Sequence, residues 1–498
     1  MILQSNYLLI LISAIMTGLS QHFPFFGFLC WFSLVPFIKV IYFEYNRIQL
    51  IKYSFLWGVV YNLIVVYWLA TNIGTTPFIA FVVMLLTVFI LSFNAIFIVV
   101  LWMAVRDYVQ EYDLFFLAVF WVVIEFLRSY GLLGFPWISL ANTQTNYLYL
   151  IQNVEYVGIY GITFWILFFN IFIFKILYSD LRKPYSYYYI LLLLLPWVSG
   201  YKLYYQYANI LLDSNNSLNL LVIQPNISLS DKSNPKNSSK ILKTIIDSTI
   251  NNISKKTQLV VWPESAMPYH SVQSQYVQDY LNEKLFIENF HLLTGNVIHE
   301  DFDVYNSSIL LNQDEIKGAY NKRQLVPLAE HFPFSDNFDF LKNINLGQAN
   351  FSKGKEDYVF EIDEFRFASL ICIESTFPDI NRRHTNMSID AMIYLVNDGW
   401  YLTPPEPRQH ARQSIFRAIE NRIPVIRCAN TGISQIINPL GIVEKEIELN
   451  KFGTINVQIN KNKYEKTFYT RFGNIFSLIL LVLTILVLIL SRFKNEKK

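Results

Sequence analysis

The distribution of apolar residues constrains this chain more than any other feature of its sequence. Long apolar segments fill most of the first 205 residues and return after residue 473, whereas the stretch between them has ordinary polarity. A helix crosses the hydrocarbon core of a bilayer with about 20 predominantly apolar residues. Only 16% of the residues are charged, whereas about 25% is typical of soluble proteins. The sequence therefore predicts a membrane part and a separate soluble part.

Eight segments are long and apolar enough to be transmembrane helices. They lie at about 6–21, 24–43, 53–71, 78–104, 113–130, 157–178, 187–205 and 474–491. This predicts three regions: residues 1–205 with helices 1–7, residues 206–470 as a soluble domain, and residues 471–498 with helix 8 and a tail. A cleaved signal peptide is the alternative interpretation of residues 1–20. That stretch has no Lys or Arg before its apolar core, which argues against a signal peptide.

The short loops indicate the orientation in the membrane. If the helices alternate in direction, one side carries all the basic residues of the short loops and the tail, namely Arg47, Lys52, Arg106, Lys175, Arg182, Lys183, Arg492, Lys494, Lys497 and Lys498. The short loop 71–77 on the other side has neither Lys nor Arg. Because Lys and Arg favour the cytoplasmic side, both termini are predicted to be cytoplasmic. Residues 206–470 are then external.

Charge and cysteine content argue against several other classes of protein. The formal net charge is +2, so no polyanionic partner such as a nucleic acid is expected. The three cysteines, Cys30, Cys372 and Cys428, are too few and too scattered for a disulfide framework or for metal-ligand spacing. We expect neither a metal nor a cofactor.

The soluble region alternates short apolar runs with amphipathic stretches. This pattern predicts buried strands and an α/β fold with helices on the outer faces of its sheets. The predicted strands are 218–224, 258–262, 291–297, 365–371 and 391–397. A helix is predicted over 406–421, with Pro405 and Pro407 near its start.

Three polar residues follow or end apolar runs of this region. Glu264 follows Val261-Trp262-Pro263, Lys322 lies in Tyr320-Asn321-Lys322-Arg323, and Cys372 ends the run Leu370-Ile371-Cys372. Taken singly, each has an ordinary explanation: a helix cap, a solvated turn residue and a small core side chain. Taken together, they supply a base, a fixed positive charge and a nucleophile, which favours a catalytic site.

The order of these residues resembles the Glu–Lys–Cys order of the nitrilase, or carbon–nitrogen hydrolase, superfamily. Together with the apolar helices, the chain resembles the superfamily's membrane branch, the apolipoprotein N-acyltransferases. Glu330 and Glu374 match further acidic positions of that branch. Three later segments resemble it as well: Val396-Asn397-Asp398-Gly399-Trp400, Arg417-Ala418-Ile419-Glu420-Asn421-Arg422 and Ala429-Asn430-Thr431-Gly432. The chain departs from the branch at Ile373, where an aromatic residue is usual, and in lacking a Trp soon after Asn226.

The resemblance implies a fold, a reaction and partners. The fold is a polytopic α-helical membrane bundle of about eight helices with an external αββα sandwich. The reaction is transfer of an acyl chain from a phospholipid, through a Cys372 thioester, to the α-amine of a diacylglyceryl-modified apolipoprotein. Glu264 is then the general base, Lys322 stabilises the oxyanion, and Glu330 and Glu374 orient Lys322. Trp400 lines the substrate entrance.

The resemblance also implies a location. A bacterial cell (inner) membrane is expected, with the catalytic domain on the periplasmic side, and the protein is expected to be a monomer. Two alternatives remain open. One is a membrane-tethered amidase of the nitrilase type, with water as acceptor. The other is a transporter with an accessory domain, which the scarcity of charges inside the helices argues against.

Overall fold

A computed structural model describes residues 2–131, 133–178, 183–210, 217–313, 315–332, 350–401 and 405–495. Contacts divide the chain into two compact units. The first comprises Met1–Thr71, Pro77–Tyr207 and Phe472–Lys498, and the second comprises Asn72–Thr76 and Ala208–Arg471. Arg182, Lys497 and Lys498, which entered the prediction of orientation, lie outside the described residues.

The first unit is helical. Its helices are α1 Ile2–His22, α2 Val35–Phe43, α3 Arg47–Val66, α4 Pro77–Val109, α5 Asp113–Leu127, α6 Leu148–Ile151, α7 Val154–Tyr178, α8 Lys183–Ala208 and, near the C-terminus, α15 Ile475–Asn495. Where α3 and α4 cross, a Cβ at Gly58 would lie 2.8 Å from the carbonyl oxygen of Ser92. Small residues allow such close helix packing in membranes.

Within the described residues, five helical segments are long and apolar enough to cross a membrane: Phe25–Phe43, Arg47–Thr71, Pro77–Leu127, Val154–Tyr178 and Ile475–Lys494. The third contains two predicted spans, because α4 and α5 follow one another through the turn Gln110–Tyr112. The predicted first and seventh spans are also helical, as α1 and α8, but are not among the five. Their crossing of the membrane remains a prediction.

A buried carboxylate, Glu125 near the end of α5, organises the interior of this unit. It is only 3% exposed. Its oxygens accept hydrogen bonds from the hydroxyls of Ser139 and Thr163, at 2.7 and 2.9 Å, and from the backbone N–H of Leu140, at 3.1 Å. The Trp121 indole donates a further bond of 3.2 Å. Glu125 thus attaches the turns Pro136–Ile138 and Leu140–Gln144 to the helices.

Replacing Glu125 with alanine should destabilise the helical unit, because four buried donors would lose their acceptor. Each unsatisfied buried group costs about 1–3 kcal/mol. We expect a lower melting temperature for the purified protein and faster proteolysis within 136–144. Glu111→Ala, at an exposed position, is the control and should change neither. A Glu125→Ala protein that melts and is cleaved like the wild type would show that these bonds contribute little.

The second unit contains two six-stranded sheets, of order β12-β1-β2-β3-β4-β5 and β11-β10-β9-β8-β7-β6. Pairs β1/β2, β2/β3, β7/β8 and β8/β9 are parallel. The strands are β1 Ser217–Gln224, β2 Leu259–Val261, β3 His291–Glu300, β4 Asp303–Leu311, β5 Ile316–Asn321, β6 Phe360–Ile362, β7 Phe365–Ile371, β8 Ala391–Val396, β9 Val425–Ala429, β10 Ser434–Ile437, β11 Val443–Ile447 and β12 Gly453–Asn460.

Helices cover the outer faces of the two sheets. The helices of this unit are α9 Leu229–Lys232, α10 Ser238–Asn252, α11 Gln275–Lys284, α12 Pro378–Asn386 and α13 Glu406–Asn421, and α14 Phe468–Phe472 ends it. Apolar side chains of α10 and α11 pack with β1, β2 and β3 in one core, around the fully buried Trp262. The second sheet contacts α13. The sheets meet directly, and the hydroxyls of Ser308 and Ser369 are joined across them over 2.6 Å. The predicted αββα fold is thereby confirmed.

Candidate active site

Glu264 lies just beyond β2, where the chain passes very close to β3. A Cβ at Gly295 would lie 2.6 Å from the Cα atom of Glu264, so this approach requires glycine. The carboxylate is buried, and its Oε1 atom accepts a hydrogen bond of 2.8 Å from the Asn306 amide. Within the described part of the chain, Oε2 has no hydrogen-bond partner. Burial raises the pKa of Glu264, an effect that Lys322 opposes and Glu330 reinforces.

Lys322 follows β5 directly and is 1% exposed. Its ammonium donates to Oε1 of Glu330 over 2.7 Å and lies 3.6 Å from Oε1 of Glu264. Burial by itself lowers the pKa of a lysine, but the charges of Glu330 and Glu264 outweigh burial, and the pKa of Lys322 is raised. The ammonium therefore stays charged at neutral pH. Glu330 provides its closest contact, which leaves Glu264 less tightly paired.

Cys372 begins the turn Cys372–Thr376 that follows β7. Its φ angle is 51°, in the left-handed region that residues other than glycine seldom adopt. Such strain persists where the surroundings hold it, and it concentrates at functional sites. Burial, followed by the charge of Glu264, raises the pKa of the thiol well above its usual value, whereas Lys322 lowers it. The resting thiol is therefore protonated and needs a base to become a nucleophile.

Glu374 lies on the other side of this turn and is fully buried. One carboxylate oxygen accepts hydrogen bonds from the Tyr320 hydroxyl and from the backbone N–H groups of Arg323 and Gln324, at 2.8, 2.7 and 3.0 Å. The other oxygen accepts a bond of 2.8 Å from the N–H of Ile371. Glu374 therefore connects the backbone after Lys322 to the backbone before Cys372. Burial raises its pKa, and the N–H donors oppose that effect.

Trp400 lies in the turn Asp398–Trp400 and is half-buried. It lines a cavity of about 780 Å³ within the second unit, together with Lys232, Ser265, Met267 and His270. The ammonium of Lys232 donates to the carbonyl oxygens of Glu264 and Ser265, at 3.3 and 2.9 Å. Burial lowers the pKa of Lys232 to about 8. This cavity thus borders the backbone that carries Glu264.

A second buried polar cluster, formed by Asp398, His410 and Arg427, lies next to Cys372. The sequence reasoning did not identify it as a site. Donor atoms of Cys372, Asp398 and His410 all lie within 4.8 Å of one another. The Asp398 carboxylate already accepts bonds from His410 Nδ1, at 2.8 Å, and from Arg427, at 2.7 Å. Because a guanidinium neutralises this carboxylate, the cluster is explained by its own hydrogen bonds and we assign it no metal.

The arrangement combines the groups that acyl transfer by a thiol requires. Glu264 offers a carboxylate oxygen that has no hydrogen-bond partner among the described residues, Lys322 offers a lasting positive charge, and Cys372 offers a thiol on a strained turn. Glu264 and Lys322 both act electrostatically on the thiol, so the sulfur lies within range of their charges. Asn306 was also missed from sequence: it donates to Glu264 and, over 3.3 Å, to Glu330. It lies inside β4, where an amide gives no pattern of its own.

Two family models match the chain. The apolipoprotein N-acyltransferase N-terminal domain matches residues 13–172, and the carbon–nitrogen hydrolase model matches residues 222–469. Among solved structures, Nit3 of Saccharomyces cerevisiae, a member of branch 10 of the nitrilase superfamily, is 19% identical. That comparison covers 49% of this chain and 90% of Nit3, with a TM-score of 0.38.

Relatives of nearly full length carry the same family name. An apolipoprotein N-acyltransferase of Geobacter metallireducens is 27% identical over 496 residues, which is 95% of this chain and 92% of that protein. Apolipoprotein N-acyltransferase 1 of Treponema denticola is 26% identical over 550 residues, covering 98% of this chain and 97% of that protein. Because these relatives and the two family models together account for most of its length, this chain belongs to the apolipoprotein N-acyltransferases, a membrane branch of the carbon–nitrogen hydrolase superfamily.

Proposed function

We propose that this protein moves a fatty acyl chain from a membrane phospholipid onto the N-terminal amine of a diacylglyceryl-cysteine lipoprotein. The observation that carries the proposal is the arrangement of buried ionisable groups, in which the Lys322 ammonium lies 2.7 Å from Glu330 and 3.6 Å from Glu264. Among the described residues, one oxygen of the buried Glu264 carboxylate has no hydrogen-bond partner. The charges of Glu264 and Lys322 both act on the Cys372 thiol, and the cation makes its closest contact with another acid, Glu330. The family and the names of the relatives supply the substrate class.

In the first half-reaction, Glu264 accepts the thiol proton as a general base. The Cys372 sulfur attacks the carbonyl carbon of the phospholipid ester, and the charge that develops on the carbonyl oxygen is stabilised by Lys322. The carbon–oxygen bond of the ester then breaks. Glu264 returns the proton to the leaving lysophospholipid, and a thioester remains on Cys372. The half-reaction as written needs neither a redox partner nor a metal.

In the second half-reaction, the amine of the lipoprotein attacks the thioester carbon. An α-amino group has a pKa of about 8, so a substantial fraction is unprotonated near neutral pH. The carbon–nitrogen bond forms and the carbon–sulfur bond breaks. Glu264 accepts the amine proton and returns it to the Cys372 thiolate. A covalent intermediate of this kind gives ping-pong kinetics.

The remaining residues have supporting roles in this proposal. Glu330 holds the ammonium of Lys322 through their contact of 2.7 Å. Glu374 positions Lys322 and Cys372 through the backbone that flanks them. Trp400, on the wall of the cavity that Ser265, the residue after Glu264, also lines, contacts the acylated substrates at their entrance.

Membrane spans suit a reaction in which both substrates carry acyl chains. Each buried CH₂ group contributes about 0.8 kcal/mol to membrane binding, so removing either substrate into water is strongly unfavourable. The basic loops favour cytoplasmic termini. We therefore place the catalytic domain on the periplasmic side of a bacterial inner membrane. We expect the protein to act as a monomer.

Replacing Glu264 with glutamine should remove the base and slow formation of the acyl-enzyme by about 100-fold or more. In the wild type, the rate should fall as pH falls, because a protonated Glu264 cannot accept the thiol proton. Because the pKa of Glu264 is raised, this fall in rate should begin at a pH above the ordinary pKa of a carboxyl group. Glu364→Gln, at an exposed position, is the matched control. A Glu264→Gln enzyme with the wild-type rate and the same fall in rate at low pH would exclude Glu264 as the base.

A two-substrate assay tests the proposed function. The purified protein is incubated with phospholipid labelled in its acyl chains and with a diacylglyceryl-cysteine peptide that has a free α-amine. We expect the label in an amide on the peptide. Release of labelled fatty acid without any labelled peptide would indicate a hydrolase. Conversion of small amides without any reaction of phospholipid would favour the tethered amidase.

A further inference from the structure

The cluster of Asp398, His410 and Arg427 reaches the backbone of Cys372 through one imidazole ring. His410 lies on α13, and its Nε2 atom is 3.1 Å from the carbonyl oxygen of Cys372 and 2.9 Å from the hydroxyl of Ser375. The Ser375 hydroxyl is in turn 2.9 Å from the same carbonyl oxygen. Nε2 of His410, the hydroxyl of Ser375 and the carbonyl oxygen of Cys372, the proposed nucleophile, thus all lie within hydrogen-bond distance of one another.

The contacts of Nδ1, on the opposite edge of the His410 ring, determine which ring nitrogen carries the proton. Nδ1 of His410 lies 2.8 Å from a carboxylate oxygen of Asp398, whose other oxygen accepts from Arg427. Burial raises the pKa of Asp398, but Arg427 and His410 outweigh it and the pKa is lowered, so this carboxylate is ionised and only accepts. Nδ1 therefore carries a proton. Burial, followed by the charge of Arg427, lowers the pKa of His410, which leaves Nε2 as an acceptor. The single proton of the Ser375 hydroxyl is then shared between Nε2 of His410 and the carbonyl oxygen of Cys372, each 2.9 Å away.

The turn held in this way is strained and is fixed on both sides. Cys372 has a φ angle of 51°, a conformation that is costly for a residue with a Cβ. On one side, Glu374 binds the N–H of Ile371. On the other side, the carbonyl of Cys372 has Ser375 and His410 as neighbours. Asp398, His410 and Arg427 are each at most 3% exposed, so solvent does not compete for these bonds.

We propose that His410, oriented by Asp398 and Arg427, is a positioning residue: through Ser375 and the Cys372 carbonyl it fixes the left-handed backbone that directs the sulfur at substrate. This inference rests on the proposed role of Cys372 as the nucleophile. A displacement of about 1 Å can cost about 100-fold in rate. The cluster therefore influences the reaction although its side chains perform none of the proposed proton transfers.

The test measures alkylation of individual cysteines by iodoacetamide in the full-length protein, with the sites identified by peptide mass spectrometry. His410→Ala should slow alkylation of Cys372 about 10-fold or more, without exposing Cys428, which is fully buried. His410→Gln, which restores an acceptor at similar reach, should recover most of the rate. His291→Gln, on β3, is the matched control and should behave like the wild type.

Acyl transfer supplies the second measurement. For His410→Ala, we expect kcat to fall by about 10- to 100-fold with unchanged KM. If His410→Ala unfolds, Cys428 becomes reactive. The smaller change Ser375→Ala, which removes one oxygen atom, then tests the inference: it should lower kcat while Cys428 stays protected from alkylation. Wild-type alkylation of Cys372 in a folded His410→Ala or Ser375→Ala protein would overturn the inference. That outcome leaves the proposed function intact, whereas an active Cys372→Ser protein would refute the proposed nucleophile itself.

Discussion

Replacing Cys372 with serine should abolish acyl transfer, with a loss of at least about 1,000-fold. A serine hydroxyl is far less acidic than a thiol, and Glu264 is a weak base with no histidine to assist it in the proposed step. An ester in place of the thioester would also react slowly with the amine. The measurement is the rate of label transfer from phospholipid to peptide, together with the melting temperature of the variant.

Cys428→Ser is the matched control for this experiment. The Cys428 thiol is buried between the two sheets, and its sulfur lies 3.4 Å from the carbonyl oxygens of both Ile223 and Val261, either of which can accept its single proton. A serine hydroxyl can donate its proton to one of these carbonyl oxygens, so activity close to that of the wild type is expected. If Cys372→Ser kept full activity, or if a folded Cys428→Ser protein were inactive, the assignment of the nucleophile would be wrong.

Replacing Lys322 with methionine should lower turnover by about 100- to 1,000-fold, the usual effect of removing a group that stabilises an oxyanion. Methionine keeps most of the volume of the side chain but removes its charge. The measurement is kcat for transfer under saturating phospholipid. Lys317→Met, on the strand β5 that precedes Lys322, is the control and should keep its activity, because Lys317 lies in an exposed ion pair with Glu315. Wild-type turnover in Lys322→Met would mean that another group holds the oxyanion.

The same variant should also lose stability, because two buried carboxylates would lose their shared cation. Breaking a buried ion pair by removing one partner costs about 3–5 kcal/mol. Without Lys322, the pKa of Glu264 rises further above its unfolded value, because Lys322 is the charge that opposes the effect of burial. The part of the penalty that comes from Glu264 is then present at neutral pH and disappears as pH falls and Glu264 is protonated. Adding Glu330→Gln should restore much of the stability at neutral pH without restoring turnover, which separates the two effects.

Local patterns predicted the parts of the fold that depend on local sequence. The helix predicted over 406–421 is found at those bounds, and the strand predicted over 365–371 is Phe365–Ile371. The strand predicted over 258–262 is shorter, Leu259–Val261. Pro263 has no N–H to donate to a neighbouring strand, and the backbone beyond it turns toward Gly295. The sequence alone gives no sign of that close approach.

Groups that act through tertiary contacts could not be predicted. His410 occupies an ordinary position of an amphipathic helix, and only the packing of α13 against the turn after β7 brings its ring to the Cys372 carbonyl. Glu374 was expected to orient Lys322. Its carboxylate binds backbone N–H groups at Ile371, Arg323 and Gln324, an arrangement that depends on how two distant loops meet.

The proposed reaction depends most directly on a covalent bond between an acyl chain and the Cys372 sulfur. The decisive measurement is mass spectrometry of the intact protein after incubation with a phospholipid of a single acyl composition and no acceptor, followed by mapping of the modified peptide. We predict an added mass of one acyl chain, located on Cys372 and lost on treatment with hydroxylamine or with the acceptor peptide. Transfer of label to the acceptor with no acyl group on Cys372 at any time would contradict the account.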